Sequence, residues 1–194
     1  MEKEYLESLT HSTPKLPEFK GYIDADDELQ PISEKLRVSS KYLSNIDMSR
    51  IKFFYTNKPK KQGGTYAIFN LLLRNEVERS ITEAYDYVVT VYAKVWGQLT
   101  PIQKVISLDK ALCGIDYGSG EEIKLGKASP DCSEFKSNMK EFGAKEVMDT
   151  SEVISLTCAR IIEEAKEEKK AKAAAKKAGE PQPQKEVESA NEPA

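Results

Sequence analysis

The stretch from Leu99 to Asp116 constrains the fold most strongly, because it predicts a buried helix directly after the most strand-like segment of the chain. Thr100 is a typical helix cap, and Pro101 suits the first helical turn, where its missing N–H leaves no bond unmade. Apolar residues then recur at helical spacings and form one stripe along the helix. They are Ile102, Val105, Ile106, Leu112 and Cys113. Gly114 is expected to end the helix.

The segment before this helix, Tyr87 to Trp96, is rich in β-branched and aromatic residues and predicts a strand. Further strands are predicted at 51–55 and 65–71. Helices are predicted at 32–42, from Asp131 to Phe142, and onward from Thr150 or Ser151. Asp131 and Glu134 have the spacing of a capping box at the second of these helices. The elements together predict an α+β domain in which a short mixed or antiparallel sheet packs on helices.

Apolar residues are distributed unevenly along the 194 residues, which indicates one core with less apolar segments at both ends. Residues 1–30 are interpreted as an N-terminal arm and residues 31–165 as the domain. The acidic run at 24–28 is interpreted as a solvated loop before the first helix, or alternatively as a partner-binding segment. Residues 166–194 are interpreted as a charged helical extension followed by a disordered tail.

Charge and cysteine content narrow the classes of function and the compartment. The chain has 29 basic and 32 acidic residues, so its overall charge gives no reason to expect nucleic-acid binding. Cys113, Cys132 and Cys158 lie in apolar patterns, which favours buried thiols in a reducing cytoplasm. No apolar run is long enough to cross a membrane, and no hydrophobic signal segment is seen. We therefore expect a cytoplasmic protein without a membrane partner.

The residues around the central helix resemble a known family. The strand that ends in Val-Trp-Gly-Gln-Leu-Thr, the following Gln-Lys and the Leu-Asp-x-x-Leu-Cys core are similar to those of the phage metallopeptidase family, a small zincin-like group. Members of that family continue the helix as Asp-His-Glu-Leu-Cys-His, in which two histidines bind zinc and the glutamate activates a water. In the same register this chain has Lys110 and Gly114 in place of the ligands, and Ala111 in place of the general base.

Family members carry a third histidine farther along, in a His-Asp-x-x-Glu-Phe segment. This chain has Pro130 at that point, followed by the Asp, Glu and Phe at the same spacing. The resemblance covers roughly residues 30 to 165 and implies a zincin-like fold whose zinc ligands have been replaced. No metal and no other cofactor is therefore expected.

The histidine content leads to the same expectation independently of any family. The whole chain contains one histidine, His11, in a polar N-terminal segment. A three-histidine zinc site, a Ser-His-Asp triad and a Cys-His dyad are all hard to build in the core from this composition. The sequence therefore predicts that the protein is not an enzyme of the kind its architecture implies.

The favoured prediction is a catalytically inactive metallopeptidase-like phage protein that binds a host or phage protein, and modulates or inhibits it in the bacterial cytoplasm. Lys110 is expected to place a cation where members of the family hold zinc. Tyr92 and Trp96 are expected to contact the partner if the strand at 87–96 keeps an exposed edge, because such an edge pairs with an extended peptide. The alternative is a central, fully paired strand.

Lys58, Lys60 and Lys61 lie in a stretch with Pro and Gly that is interpreted as a loop between two strands. These lysines either bind an acidic partner or phosphates, or keep a hairpin soluble. An alternative function follows, in which this loop and the Lys-rich extension bind nucleic acid with strong salt dependence.

A further alternative is an enzyme with a rebuilt metal or nucleophile site. The remaining candidate residues near the altered motif are Asp109, Cys113, Asp131 and Cys132. Asp109 and Cys113 are expected to point toward the core rather than into a cleft, and Cys113 has no histidine to activate it.

Overall fold

The computed structural model describes residues 19–58, 60–62, 65–82, 85–117, 125–130 and 134–178. The strands are β1 (Tyr22–Asp24), β2 (Ile51–Thr56), β3 (Lys60–Gln62), β4 (Thr65–Ala67), β5 (Phe69–Leu73), β6 (Tyr87–Tyr92), β7 (Ile115–Asp116) and β8 (Gly126–Lys127). The helices are α1 (Asp26–Ser39), α2 (Glu76–Thr82), α3 (Ala93–Trp96), α4 (Pro101–Cys113), α5 (Lys136–Phe142) and α6 (Ala144–Ala178). The predicted α+β class is confirmed.

Four strands form one mixed sheet in the order β1-β2-β6-β5. β6 pairs in parallel with β2, where Tyr87 lies opposite Ile51, and antiparallel with β5, where Tyr87 lies opposite Leu73. β1 is antiparallel to β2. Because β6 has a paired strand on each side, its residues offer no exposed edge, and of the two arrangements considered for this segment the paired internal strand is the one found.

β6 is also shorter than predicted, because the chain turns into the short helix α3 after Tyr92. The side chain of Trp96 is fully buried, its ring lies edge-on to the ring of Phe69 at 5.7 Å, and its Nε1 donates to Glu28 Oε1 at 3.2 Å. These tertiary contacts outweigh the strand preference of an aromatic residue.

α1 begins at Asp26, six residues before the predicted helix, so the acidic run lies at the start of a helix instead of in a loop. Carboxylates are favourable at that end because they face the positive end of the helix dipole. Asp26 also accepts hydrogen bonds from the backbone N–H of Phe53 at 2.7 Å and from Lys52 at 2.6 Å. The predicted boundary between arm and domain at residue 31 therefore falls inside α1.

The core lies between the sheet and the helices, since α1 contacts β2, α4 contacts β5, and the two helices contact each other. Its most buried apolar side chains, all without exposed surface, come from these elements and from β6 and α3. They include Leu29, Leu36, Phe53, Tyr87, Val89, Val91, Trp96, Leu108 and Leu112. Removing such side chains from water is the main stabilising contribution of the domain.

α5 and α6 differ from the prediction at their starts. α5 begins at Lys136, so Glu134 precedes it and is not the third residue of a capping box there, while Asp131 lies outside the described residues. Gly143, with φ of +93°, ends α5 in a conformation that favours glycine, and α6 follows at once instead of starting at residue 150.

The chain divides into two compact units, Met1–Ile161 and Ile162–Ala194. In the second unit α6 continues to Ala178, and the side chains at 163–174 are exposed, as expected for a segment without an apolar stripe. The predicted disordered tail lies outside the described residues from 179 onward. In the part of the chain that the structure describes, none of the helices has the length and apolarity to span a bilayer.

Candidate functional site

α4 carries the positions at which the resemblance places zinc ligands, and its ends are as predicted. Thr100 caps the helix: its side chain accepts from the backbone N–H of Gln103 at 3.4 Å, and the Gln103 side chain accepts from the N–H of Thr100 at 3.0 Å. Pro101 occupies the first turn, and Gly114 follows the last. These contacts fix where α4 begins and where it ends.

Lys110 points from α4 to a buried carboxylate. Its Nζ donates to Oε1 of Glu134 at 2.7 Å, and the hydroxyl of Ser151 donates to the same oxygen. The Glu134 side chain is 2% exposed and the Lys110 side chain 37%. This ion pair therefore joins α4, the segment before α5, and α6, and it gives Glu134 a role that the capping-box interpretation did not predict.

Gly114 lies where the protein has no room for a side chain. A Cβ at this position would lie 3.1 Å from the carbonyl oxygen of Ala111 and 3.3 Å from Cδ2 of Leu71, with Cζ of Phe135 at 3.9 Å. Real Cβ atoms seldom come this close to their neighbours, so the space for a second histidine is occupied. Ala111 is buried and Pro130 is exposed.

The zinc that the resemblance implies does not fit these residues. The ammonium of Lys110 repels a metal cation, and Ala111 and Gly114 have no donor atoms in their side chains. Oε1 of Glu134 is already bound to Lys110 and Ser151. Among the residues that the structure describes, no three His, Cys, Asp or Glu side chains are grouped so that they could hold a metal ion.

Asp109 and Cys113 lie beside Lys110 and Gly114 on α4 and face α5. Nδ2 of Asn138 donates to Oδ2 of Asp109 at 2.7 Å and to the carbonyl of Ile106 at 3.2 Å. The Cys113 thiol donates to Oδ2 of Asp109 at 3.6 Å and accepts from Ser137 at 3.2 Å. Asp109 and Asn138 are 1% and 0% exposed. The two candidates of the rebuilt-site alternative are thus close together, and they point to the core as expected.

Burial controls the chemistry of this cluster. It raises the pKa of Asp109 to about 6 and the pKa of the Cys113 thiol to about 12, the latter with the help of the neighbouring carboxylate. A thiol with so high a pKa is a poor nucleophile and a poor metal ligand. Asp131 and Cys132, the other two candidates of that alternative, lie outside the described residues.

Two of the predicted partner-binding residues are in the core. Tyr92 is 4% exposed and Trp96 has no exposed surface. Their aromatic rings fill the interior, so the expectation that they contact a partner directly is corrected. A segment rich in aromatic and β-branched residues is typical both of an edge strand that binds a partner and of an internal strand. The pairing of β6 on both sides shows that it is internal.

The basic stretch is a hairpin rather than a loop. Lys60 and Lys61 belong to β3, which pairs antiparallel with β4 so that Lys61 lies opposite Tyr66. Lys58, just before β3, is exposed. Lys60 and Lys61 thus follow Lys58 by two and three residues and belong to one strand of the hairpin.

A cleft of about 700 Å³ was not predicted from the sequence. An ion pair lines this cleft. Arg50 donates two hydrogen bonds to the carboxylate of Asp86, each of 2.9 Å, and Nη1 of Arg79 lies 4.0 Å from Oδ1 of Asp86. Arg50 and Asp86 directly precede β2 and β6, whose parallel register sets them side by side. Knowledge of that register would have revealed the pair; the sequence alone does not supply it.

One comparison with known proteins gives a match. A family model described as putative phage metallopeptidase matches residues 20–179. The matched range includes every described element from β1 to α6. No curated protein and no solved structure matches the chain.

Proposed function

Because this chain belongs to the putative phage metallopeptidase family, we propose that it is a catalytically inactive member which acts by binding another protein. The observation that carries this proposal is the ion pair of Lys110 with Glu134, at 2.7 Å, on the helix where the family resemblance places the zinc ligands. A fixed ammonium stands in the region where a metal dication would have to bind.

Three further features support the loss of hydrolysis. Ala111 offers no carboxylate to activate a water, so the general base is missing even if a metal were supplied. The packing of Leu71 and Phe135 around Gly114 fills the space of a second ligand. The one histidine of the chain, His11, cannot replace a set of three.

Elemental analysis of the full-length protein, purified without chelator, tests the first half of the proposal. We expect no stoichiometric zinc, and no cleavage of an unfolded casein substrate with or without added zinc. The matched variant restores the motif as Lys110→His, Ala111→Glu, Gly114→His and Pro130→His, with Leu71→Ala to open space beside position 114. We expect this variant to gain zinc. One zinc per chain in the natural protein would refute the proposal.

The second half of the proposal concerns the partner. We propose that the basic hairpin, with Lys58, Lys60 and Lys61, binds an acidic surface of a host or phage protein in the infected bacterium. Like-signed charges within one short segment attract an oppositely charged surface and increase the rate of association. Binding by a scaffold without chemistry would inhibit or redirect the bound protein.

Affinity capture from bacterial lysate, with bound proteins identified by mass spectrometry, tests this half. Lys58→Glu, Lys60→Glu and Lys61→Glu together are expected to abolish capture of a specific protein. The control changes three exposed lysines of α6, Lys166, Lys169 and Lys172, to glutamate, which alters the net charge equally and should leave capture intact. Equal loss in both variants would contradict a role for the hairpin.

Nucleic-acid binding is the second candidate, and the exposed lysines of α6 are the observation that favours it. It predicts recovery of DNA or RNA that falls steeply between low and moderate salt and is reduced in the α6 variant as well as in the hairpin variant. The same capture experiment therefore distinguishes the two functions.

A further inference from the structure

Two buried oxygen atoms on the core side of α4 have no hydrogen-bond donor among the described residues. They are Oδ1 of Asp109 and Oδ1 of Asn138. Both belong to side chains that are almost completely buried and that are already joined to each other by the 2.7 Å bond between Nδ2 and Oδ2. Leaving a buried acceptor without a donor is unfavourable, so two such oxygens in one pair call for an explanation.

The amide of Asn138 cannot be turned to remove the difficulty. Its Nδ2 also donates to the carbonyl of Ile106 at 3.2 Å. Exchanging the nitrogen and the oxygen of the amide would set Oδ1 against that carbonyl oxygen and against a carboxylate oxygen, which are both acceptors. The orientation is therefore fixed by α4 itself, and among the described residues the acid is the group that can supply the missing donor.

We propose that in mildly acidic solution Asp109 of the folded protein is the neutral acid, whose Oδ1–H donates to Oδ1 of Asn138. One proton then satisfies both orphaned oxygens and gives the two-bond pair that a carboxylic acid forms with an amide. The pair ties α4 to α5 through the interior, beside the ion pair of Lys110 with Glu134.

The groups around Asp109 act on its pKa in both directions. Lys110, the neighbouring cation on α4, is directed to Glu134 and Ser151 instead. The hydrogen bonds from Asn138 and from the Cys113 thiol favour the carboxylate, whereas burial, the largest effect, and the carboxylate of Glu141 on α5 favour the neutral acid. Burial raises the pKa of Asp109 from an ordinary 3.8 to about 6.

The contribution of the α4–α5 contact to stability therefore depends on pH. The folded protein retains the proton more strongly than the unfolded chain, so this pair contributes fully at pH below 3.8 and its contribution is lost as the pH rises toward 6. Above that value Asp109 is a carboxylate without the shared proton, and the contact is at its weakest.

The test is the pH dependence of urea unfolding for the natural chain relative to Asp109→Asn, whose amide forms the same two bonds without a titrating proton. We expect the ratio of their folding equilibrium constants to fall on the order of a hundredfold between pH 4 and pH 7, and then to level off. Taking the ratio cancels the other carboxylates. Asp149→Asn, at an exposed carboxylate on α6, is the control for the loss of one charge, and it should show no comparable fall.

A ratio that is constant or rises with pH would overturn the proposal, because Asp109 would then be buried as a carboxylate. If Asp109→Asn does not fold, ¹³C-labelled aspartate in the natural chain provides the decisive measurement. We expect one carboxyl carbon to titrate with a midpoint near pH 6. The absence of any aspartate midpoint above about pH 5 would refute the protonated pair.

Discussion

Two adjacent groups of residues on α4 have different surroundings. In one group Lys110 reaches Glu134 across a partly open boundary, and Gly114 is closed off by Leu71 and Phe135. In the other group Asp109 and Cys113 form a buried network with α5. The resemblance to the family retains the residues of the second group and replaces those of the first.

This difference has a physical reason. A buried network such as that of Asp109 stabilises the protein only while each member keeps its partner, so a single replacement leaves an orphaned polar group. At the positions where the resemblance places the zinc ligands, the requirement is different. Lys110 supplies a positive charge to the buried Glu134, and the side chains of Leu71 and Phe135 pack beside Gly114.

The largest expected effect concerns the buried network, and it is the low reactivity of the Cys113 thiol. Because burial raises its pKa to about 12, Cys113 should be alkylated about a thousandfold more slowly in the folded protein than a thiol with the ordinary pKa of 9.0. Peptide mass spectrometry after a timed iodoacetamide exposure measures this site separately from Cys132. Cys158, with no exposed surface, should be protected in parallel. Rapid modification of Cys113 in the native state would reopen the rebuilt-site alternative.

The next effect concerns the ion pair. Lys110→Met leaves Glu134 buried without its cation, and we expect a loss of about 2–4 kcal/mol in the free energy of unfolding. The double variant with Glu134→Leu should recover most of that loss, because no charge is then left unpaired. Lys172→Met breaks the exposed pair with Glu168 and should cost at most about 0.5 kcal/mol. Urea unfolding measures both variants. An equal loss in the free energy of unfolding for Lys110→Met and Lys172→Met would show that the buried ion pair is no more important than the exposed one.

The smallest effect tests the closed space at Gly114. Gly114→Ala forces a methyl group against Leu71 and should cost about 1 kcal/mol. Gly97→Ala is the matched control: its Cβ would meet only a carbonyl oxygen at 3.5 Å, and its helical φ of −64° suits alanine, so we expect no loss or a slight gain. Circular-dichroism melts compare the two. A stable Gly114→Ala protein would show that this space is open.

Local sequence signals predicted much of the scaffold. The cap at Thr100, the turn at Gly114 and the end of α5 at Gly143 are set by neighbouring residues, and all three agree with the structure. The predicted starts of α1 and α6 differ from the structure. Pro31 lies inside α1, and no strong capping residue precedes Ala144, so local sequence alone does not indicate that either helix begins so early. Packing against the core decides where they begin.

The candidate site divides in the same way. The sequence by itself determined which groups are present: one histidine, Lys110, Gly114 and the buried candidates Asp109 and Cys113. Tertiary structure alone decided their partners, since Glu134, Asn138 and Leu71 reach α4 from segments 24 or more residues away. It also decided that β6 is central and that Tyr92 and Trp96 are buried. Composition and spacing fix the donors and acceptors of a chain, whereas their pairing depends on packing between distant segments, which no local pattern encodes.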